Sequence, residues 1–353
     1  MKLAMIAVVA LLVSIAPPAR ACTTFAAGKG RKTLVGKSYD FDFGHGLVVV
    51  NKRGLVKRAE LMRPDQGTPA RWTARYASVT FNQFGREFPL GGINERGLVV
   101  EIMWLQRTKF GKLVKGRPVV NELQLIQHLL DTTATAAEAV AAARRLQVAR
   151  VYGRVHYMAC DAAGVCAALE YLDGKLKVHQ GRRLPLRVLT NNTYTESLAS
   201  ARRHRGLGGK APTPEGSGSL ARFARAATLA RKMKAPTVAR AFSVLESVRQ
   251  SMTQWQIVYE PARRRVHFRL PGDERHTTVE LGKLKLACDT PVRVIDIKGT
   301  VLEKRGDWRP YTRKANTRLV RISFKALKFR LPPGAVEGIG AYPERASCAA
   351  AKR

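Results

Sequence analysis

Ala19-Arg20-Ala21-Cys22-Thr23-Thr24-Phe25 is the stretch on which the reading of this chain turns. Upstream of it, Lys2 provides a basic start, residues 3–15 are almost wholly apolar, and Ala19 and Ala21 supply small residues at −3 and −1 of a cleavage site. The pattern predicts a secretory signal peptide over 1–21 and an exported product beginning at Cys22, periplasmic or secreted. Cleavage there creates a thiol and a free α-amine on one residue. An ionised thiol is a strong nucleophile. An α-amine has a pKa of roughly 7.7–8.0, so it can serve as the base beside it. Two other readings of Cys22 stand next to this one. It could carry a lipid, although that signal prefers an aliphatic residue at −3 and here Ala19 and Arg20 occupy −3 and −2. It could also be a structural cysteine near a mature N-terminus.

Length and charge set bounds. The run 3–15 is shorter than the ~20 apolar residues of a spanning helix, and no later stretch reaches that length. The product is therefore expected to be soluble, and large enough for one large domain or two small ones. Lys and Arg number 62 against 26 Asp and Glu, a net charge of +36, which attracts polyanions. The basic residues are spread along the chain and are densest over 298–330. Without zinc-finger spacing, a helix-turn-helix pattern or an aromatic-basic repeat, the charge reads as a solvated basic surface. It implies weak contact with anionic surfaces and no specific nucleic-acid partner. The seven His show no metal-like spacing, so no metal and no cofactor are expected.

The five cysteines are Cys22, Cys160, Cys166, Cys288 and Cys348. Export implies an oxidising compartment, and an odd count leaves one thiol over. Cys160 and Cys166 flank the turn Asp161-Ala162-Ala163-Gly164 between apolar-rich runs, so they fall on facing arms of a hairpin, within disulfide range. Cys288 and Cys348 are then the second pair, and Cys22 is free.

Along the chain, short β-like runs at 23–25, 34–35 and 47–50 are broken by Gly28, Gly30, Gly36, Gly44 and Gly46. Residues 76–81 alternate as a strand. Gly91-Gly92-Ile93-Asn94-Glu95-Arg96-Gly97-Leu98 reads as a turn feeding the apolar run 99–105. Helical spacing covers 119–130, and the capping box Thr135-Ala136-Ala137-Glu138 opens an Ala-rich helix ending near Leu146. Strands follow at 155–160, 166–172, 175–179 and 187–190, the last ending at Asn191-Asn192. Residues 204–218 read as a long loop, 219–233 and 236–248 as helices, and 255–259 with 265–270 as a hairpin. The remainder reads as strand-like and basic. Short turns between successive strands favour antiparallel sheets, and two sheets covered by helices satisfy the layer rules.

Several motifs occur together in order: Cys22-Thr23-Thr24-Phe25, Gly36-Lys37-Ser38-Tyr39-Asp40-Phe41, Gly92-Ile93-Asn94-Glu95-Arg96-Gly97-Leu98, Val188-Leu189-Thr190-Asn191, Ser219-Leu220-Ala221-Arg222-Phe223 and Thr253-Gln254-Trp255. In this order, with the Cys at a cleavage site, the chain resembles the choloylglycine hydrolase family of linear amide C–N hydrolases, which includes penicillin V acylases and bile salt hydrolases. These are N-terminal-nucleophile hydrolases. The resemblance implies an α+β fold, a four-layer αββα sandwich of two mainly antiparallel sheets. It places the enzyme domain over 22–290 and leaves 291–353 as a basic extension packed on the same domain. A homo-oligomer is compatible with it.

The family pattern assigns roles. Cys22 matches the nucleophile, Asp40 the carboxylate near its amine, Asn94 the turn beside the oxyanion site, Asn191 the oxyanion side-chain amide, and Arg222 a late active-site arginine. Lys37 stands where bile salt hydrolases carry Arg, keeping the charge and losing the planar fork. The implied activity is an exported cysteine amidase that hydrolyses N-acyl amides through a Cys22 thioester, with Lys37 and Arg222 favouring the thiolate. Taken singly, Asp40 and Asn94 also fit plain turns, Asn191 a strand-end cap, and Arg222 a solvated helix position. Met103 and Trp104 fit either an acyl pocket or core. The competing function is a non-catalytic exported binding or surface protein on the same fold, held by charge or by lipid on Cys22. Acyl-homoserine lactones, phenoxyacetyl penicillins and bile conjugates are all open as substrates.

Overall fold

The strands Thr23–Ala27 and Leu34–Asp40 are buried along their whole lengths. They pair antiparallel, with Thr23 opposite Ser38 and Ala27 opposite Leu34. A strand buried on both faces must be covered twice, and the architecture follows from that demand. The computed structural model describes residues 22–350, so the segment 1–21, read as a signal peptide, lies outside the described residues.

The first sheet has six strands in the order Val188–Leu189, Thr23–Ala27, Leu34–Asp40, Thr253–Glu260, Arg265–Arg269 and Thr277–Glu280. The second has nine, in the order Lys175–Gln180, Cys166–Leu172, Val155–Cys160, Val99–Trp104, Pro89–Asn94, Ser78–Asn82, Leu47–Asn51, Arg293–Asp296 and Arg309–Pro310. Neighbours in both sheets are antiparallel. The sheets face one another: Phe81 of the second meets the rings of Tyr259 and Phe268 of the first edge-on. Helices α1 (Gln124–Thr132) and α2 (Ala136–Arg145) pack on the second sheet. Beyond α3 (Tyr194–Ala201), α4 (Ser219–Lys232) and α5 (Val238–Ser247) pack on the first. The result is the four-layer αββα sandwich.

Three stretches differ from the sequence reading. The glycine-rich segment expected to turn is instead the strand Pro89–Asn94, and the chain reverses only after it. Its glycines serve close approach: a Cβ at Gly91 would sit 2.3 Å from a Glu101 carboxylate oxygen, and one at Gly92 2.5 Å from the Val79 carbonyl oxygen. The helix expected from 119 begins at Gln124. Val119 and Val120 belong to a short strand, and the Asn121 side chain accepts from the Leu123 and Gln124 N–H groups, so the helix starts after it. The tail expected as strand contains two helices, α6 (Arg313–Ala326) and α7 (Ala335–Ala341). Basic residues fill the exposed side of α6 and mask its period, while Ala315, Leu319 and Val320 face inward.

The segment after residue 290 is continuous with the sandwich. Its strand Arg293–Asp296 pairs with Leu47–Asn51, and Ala315 and Leu319 of α6 pack on Leu47, Val49 and Val294. Cys160 stands directly opposite Cys166 and is bonded to it, Cys288 is bonded to Cys348, and Cys22 is a free, buried thiol. The Cys288–Cys348 bond closes a separation of 60 residues. In the chain-entropy account a loop of that size stabilises by about 4 kcal/mol. Replacing both cysteines by serine should therefore lower the unfolding free energy by an amount of that order, with a steeper denaturant slope because the uncrosslinked unfolded chain exposes more surface. An unchanged unfolding free energy would show that the tail is held by packing alone.

Candidate active site

Cys22 lies at the head of the strand Thr23–Ala27, and pairing with Leu34–Asp40 sets it beside Asp40. Cys22 is 5% exposed, and its Sγ lies 3.8 Å from the backbone carbonyl oxygen of Asp40. Burial pushes the thiol pKa up. The charges of Lys37 and Arg222 oppose that rise, and Asp40 adds to it. The Asp40 carboxylate is fully buried and accepts from Ser38 Oγ and Thr253 Oγ1, each at 2.6 Å, and from Gln250 Nε2 at 3.0 Å. Burial raises its pKa too, against these donors.

Arg222 joins the parts. It lies in the first turn of α4, and its side chain is buried rather than solvated. One guanidinium nitrogen donates to the Cys22 carbonyl at 2.9 Å and to Thr23 Oγ1, the second to Asn191 Oδ1 at 2.7 Å, and Nε to the Ser217 carbonyl at 2.9 Å. This bond to Oδ1 decides the orientation of the Asn191 amide. The oxygen faces the cation, so the NH2 group lies on the other side, where it donates to the Trp104 carbonyl at 2.8 Å. An amide nitrogen carries two hydrogens, and Trp104 takes one. The Asn191 backbone N–H donates to Ser219 Oγ at 2.9 Å, which fastens the strand end to the start of α4.

Lys37 acts at a distance. Its ammonium donates to the Ile102 carbonyl and sits 3.8 Å from Glu101 Oε2, in the layer between the sheets. Burial lifts the Glu101 carboxyl to about 7, with Lys37 and the Tyr259 hydroxyl opposing the rise. Lys37 therefore lends Cys22 charge without a contact.

Asn94 is not brought to the thiol. Its side chain donates to the Leu130 and Thr133 carbonyls at 2.8 and 2.7 Å and accepts from the Arg96 and Leu98 N–H groups at 3.0 Å. All its capacity goes into tying the end of α1 to the hairpin turn. The strand Val99–Trp104 runs away from that turn, so Met103 and Trp104 lie some 15 Å or more from it, at ~3.3 Å per residue. Trp104, at the far end, is the residue of this hairpin that meets Asn191. Met103 and Trp104 both line the site rather than filling core alone.

A second group was not legible in the sequence. Glu170 accepts from the Tyr194 N–H at 2.8 Å and pairs with His156 and His179, each at 3.0 Å, while His156 Nε2 bonds the Thr190 carbonyl at 2.8 Å. These bonds fix the backbone on both sides of Asn191. Period-2 alternation places His156 and Glu170 on neighbouring strands, but nothing in the spacing says that they meet.

The thiol opens on a cavity of about 120 Å³ whose walls are largely aromatic and aliphatic, among them Tyr39, Phe41, Phe84, Met103, Trp104 and Phe324. Among the described residues no cluster of three or more His, Cys, Asp or Glu side chains is placed to hold a metal ion.

The Glu170 group makes a pH prediction. Burial alone would raise its pKa, but the two histidines outweigh burial and bring it down to about 2, from an ordinary 4.5. A depressed carboxylate contributes stability that is fully present above the ordinary value and lost as the pH falls toward the folded one. Glu170→Gln should therefore cost about 3 kcal/mol above pH ~4.5, shrinking toward pH ~2. Urea melts of parent and variant at several pH values check this, and a cost independent of pH would contradict it.

Comparisons with known proteins place the family and the fold. The family model described as linear amide C–N hydrolases, choloylglycine hydrolase family, matches residues 22–294. A penicillin V acylase from Pectobacterium atrosepticum is 29% identical over 171 residues, a match that covers 44% of this chain and only 45% of that relative. The solved penicillin V acylase of Agrobacterium tumefaciens aligns at a TM-score of 0.68 and 26% identity, covering 78% of this chain and 92% of that one. A variant of conjugated bile acid hydrolase from Clostridium perfringens aligns at 0.66 and 15% identity, over 78% and 97%, and shares the fold. With its free Cys22 at the head of a sandwich strand and Arg222 bridging it to Asn191, this chain belongs to the choloylglycine hydrolase family of linear amide C–N hydrolases.

Proposed function

We propose that the protein is an exported amidase that cleaves N-acyl amides with an apolar acyl group, using Cys22 as an N-terminal nucleophile after removal of residues 1–21. The observation that carries this reading is the Cys22 thiol on an apolar cavity, with Arg222 bonding both the Cys22 carbonyl and the Asn191 amide oxygen. The acyl group would sit in the cavity and the amine portion toward solvent. Penicillin V and conjugated bile acids, named by the relatives, are substrates to screen, together with acyl-homoserine lactones.

The steps follow from the groups present. An amide carbonyl is a poor electrophile and needs an activated nucleophile and a place for the oxyanion. Burial favours the neutral thiol, so the proton must leave as sulfur attacks. The α-amine of Cys22 takes it, with Asp40 orienting that amine. Sulfur bonds the carbonyl carbon, and the oxygen takes the negative charge against the second N–H of Asn191. The ammonium returns its proton to the leaving nitrogen as the C–N bond breaks. Water, deprotonated by the same amine, then releases the acid from the thioester.

Cys22→Ser should keep the fold and lose nearly all turnover, since a hydroxyl is far less acidic than a thiol. Asn191→Ala keeps the nucleophile, so iodoacetamide should still label Cys22 while turnover falls roughly 10²–10³-fold, the scale of one oxyanion donor. Mass spectrometry of the secreted protein should find Cys22 first, bare and unlipidated. A lipidated Cys22, or a Cys22→Ser variant as active as the parent, would move the reading to a binding protein.

A further inference from the structure

The family match ends at residue 294, yet part of the cavity wall comes from beyond it. Phe324 on α6, Leu327 just past its end and Ile339 on α7 line the same cavity as Cys22. All three are half-buried, with apolar surface turned to the cavity rather than sealed in core. Phe324 lies 5.4 Å, ring to ring, from Phe84. A few residues on, Phe329 lies 5.5 Å from Tyr152, which in turn lies 5.9 Å from Trp104 beside Asn191. The tail thus closes a belt of rings around the space in front of the thiol.

This wall is fixed to the body. Asn316, fully buried, accepts from the Arg86 N–H at 2.8 Å and donates to the Gly340 carbonyl at 2.9 Å, joining α6, α7 and the body in one side chain. Val320, one turn on from Asn316, packs where a Cβ on Gly85 would stand 3.0 Å away. Tyr342 bonds the Arg58 carbonyl and accepts from Gln124. The Cys288–Cys348 bond ties the tail a second time. A side chain on so anchored a helix cannot swing aside at little cost, so its bulk limits what fits.

We propose that α6 and α7 form the acyl-length gauge of this protein: Phe324, Leu327 and Ile339 stop the far end of an apolar acyl chain attached at Cys22. The favoured substrates are then N-acyl amides with short or medium apolar acyl groups, and trimming the wall admits longer ones. The inference deepens the amidase reading and rests on it only for amide turnover. Its test has two arms.

In the first arm, N-alkyl iodoacetamides of increasing chain length alkylate Cys22, followed by mass spectrometry. In the second, N-acyl amides of the same lengths are hydrolysed. Phe324→Ala and Leu327→Ala should raise the long-to-short rate ratio about 10-fold or more in both arms. Each further buried methylene is worth ~0.8 kcal/mol, or roughly 4-fold. Phe324→Leu should give a smaller shift and preserve the fold if the alanine variant melts early. Ile322→Ala, on the other side of α6 against Val294 and Leu319, should leave the ratio unchanged. An unshifted ratio in both cavity variants overturns the gauge, even if the parent hydrolyses amides well. A shifted alkylation ratio in a protein that hydrolyses no N-acyl amide upholds the gauge and overturns the amidase reading instead.

Discussion

The site depends on one buried guanidinium. Arg222 is 1% exposed, and taking such a cation out of water costs several kcal/mol unless its donors are satisfied. Here they are spent on the Cys22 carbonyl, Thr23, Asn191 and Ser217, and the negative charge of Asp40 lies near enough to favour the cation further. The bonds join three separate pieces of chain: the head of the first strand, the end of Val188–Leu189, and the start of α4. A planar fork can do this at fixed angles, where a lysine would offer a single mobile point. The arginine therefore acts less as a source of charge than as a jig that holds the Cys22 backbone and the Asn191 amide in register.

Around that jig the two sheets divide the work. The first sheet presents Cys22 and Asp40 on adjacent strands and buries the carboxylate among hydroxyl and amide donors. The second contributes Met103 and Trp104 and, beneath Thr190, the His156–Glu170 pair. Lys37 and Glu101 pair between them, so the positive charge that moderates the thiol is held without an exposed group. The strongly basic composition has little part in this. Basic residues coat α6 and the loops, while the cavity wall is apolar.

How much of this was legible in the residues varies with the distance an interaction spans. The strands 155–160 and 166–172 were clear because alternation and the turn Asp161-Ala162-Ala163-Gly164 are local, and Cys160 opposite Cys166 follows from them. The helix over 136–145 was clear because Thr135 caps it. Asn94 was misplaced because its surroundings resemble a turn near a site, while its actual partners are carbonyls at the end of α1. The tail was misread because α6 hides its apolar face among arginines and lysines. Phe324 and Leu327 then carry no sign that they meet residues near Cys22, some three hundred positions earlier.

The sequence by itself determined the family, the hairpin that pairs Cys160 with Cys166 and the one cysteine left unpaired. These rest on local chemistry: a thiol placed after small residues, alternating burial, and turns that allow only short antiparallel returns. The tertiary structure alone decided that Arg222 orients the Asn191 amide, that Lys37 pairs with Glu101 and reaches Cys22 only by its charge, and which residues wall the cavity. Those are properties of side chains meeting across sheets. They depend on crossing distances and on how the tail folds back, and no spacing along the chain encodes either.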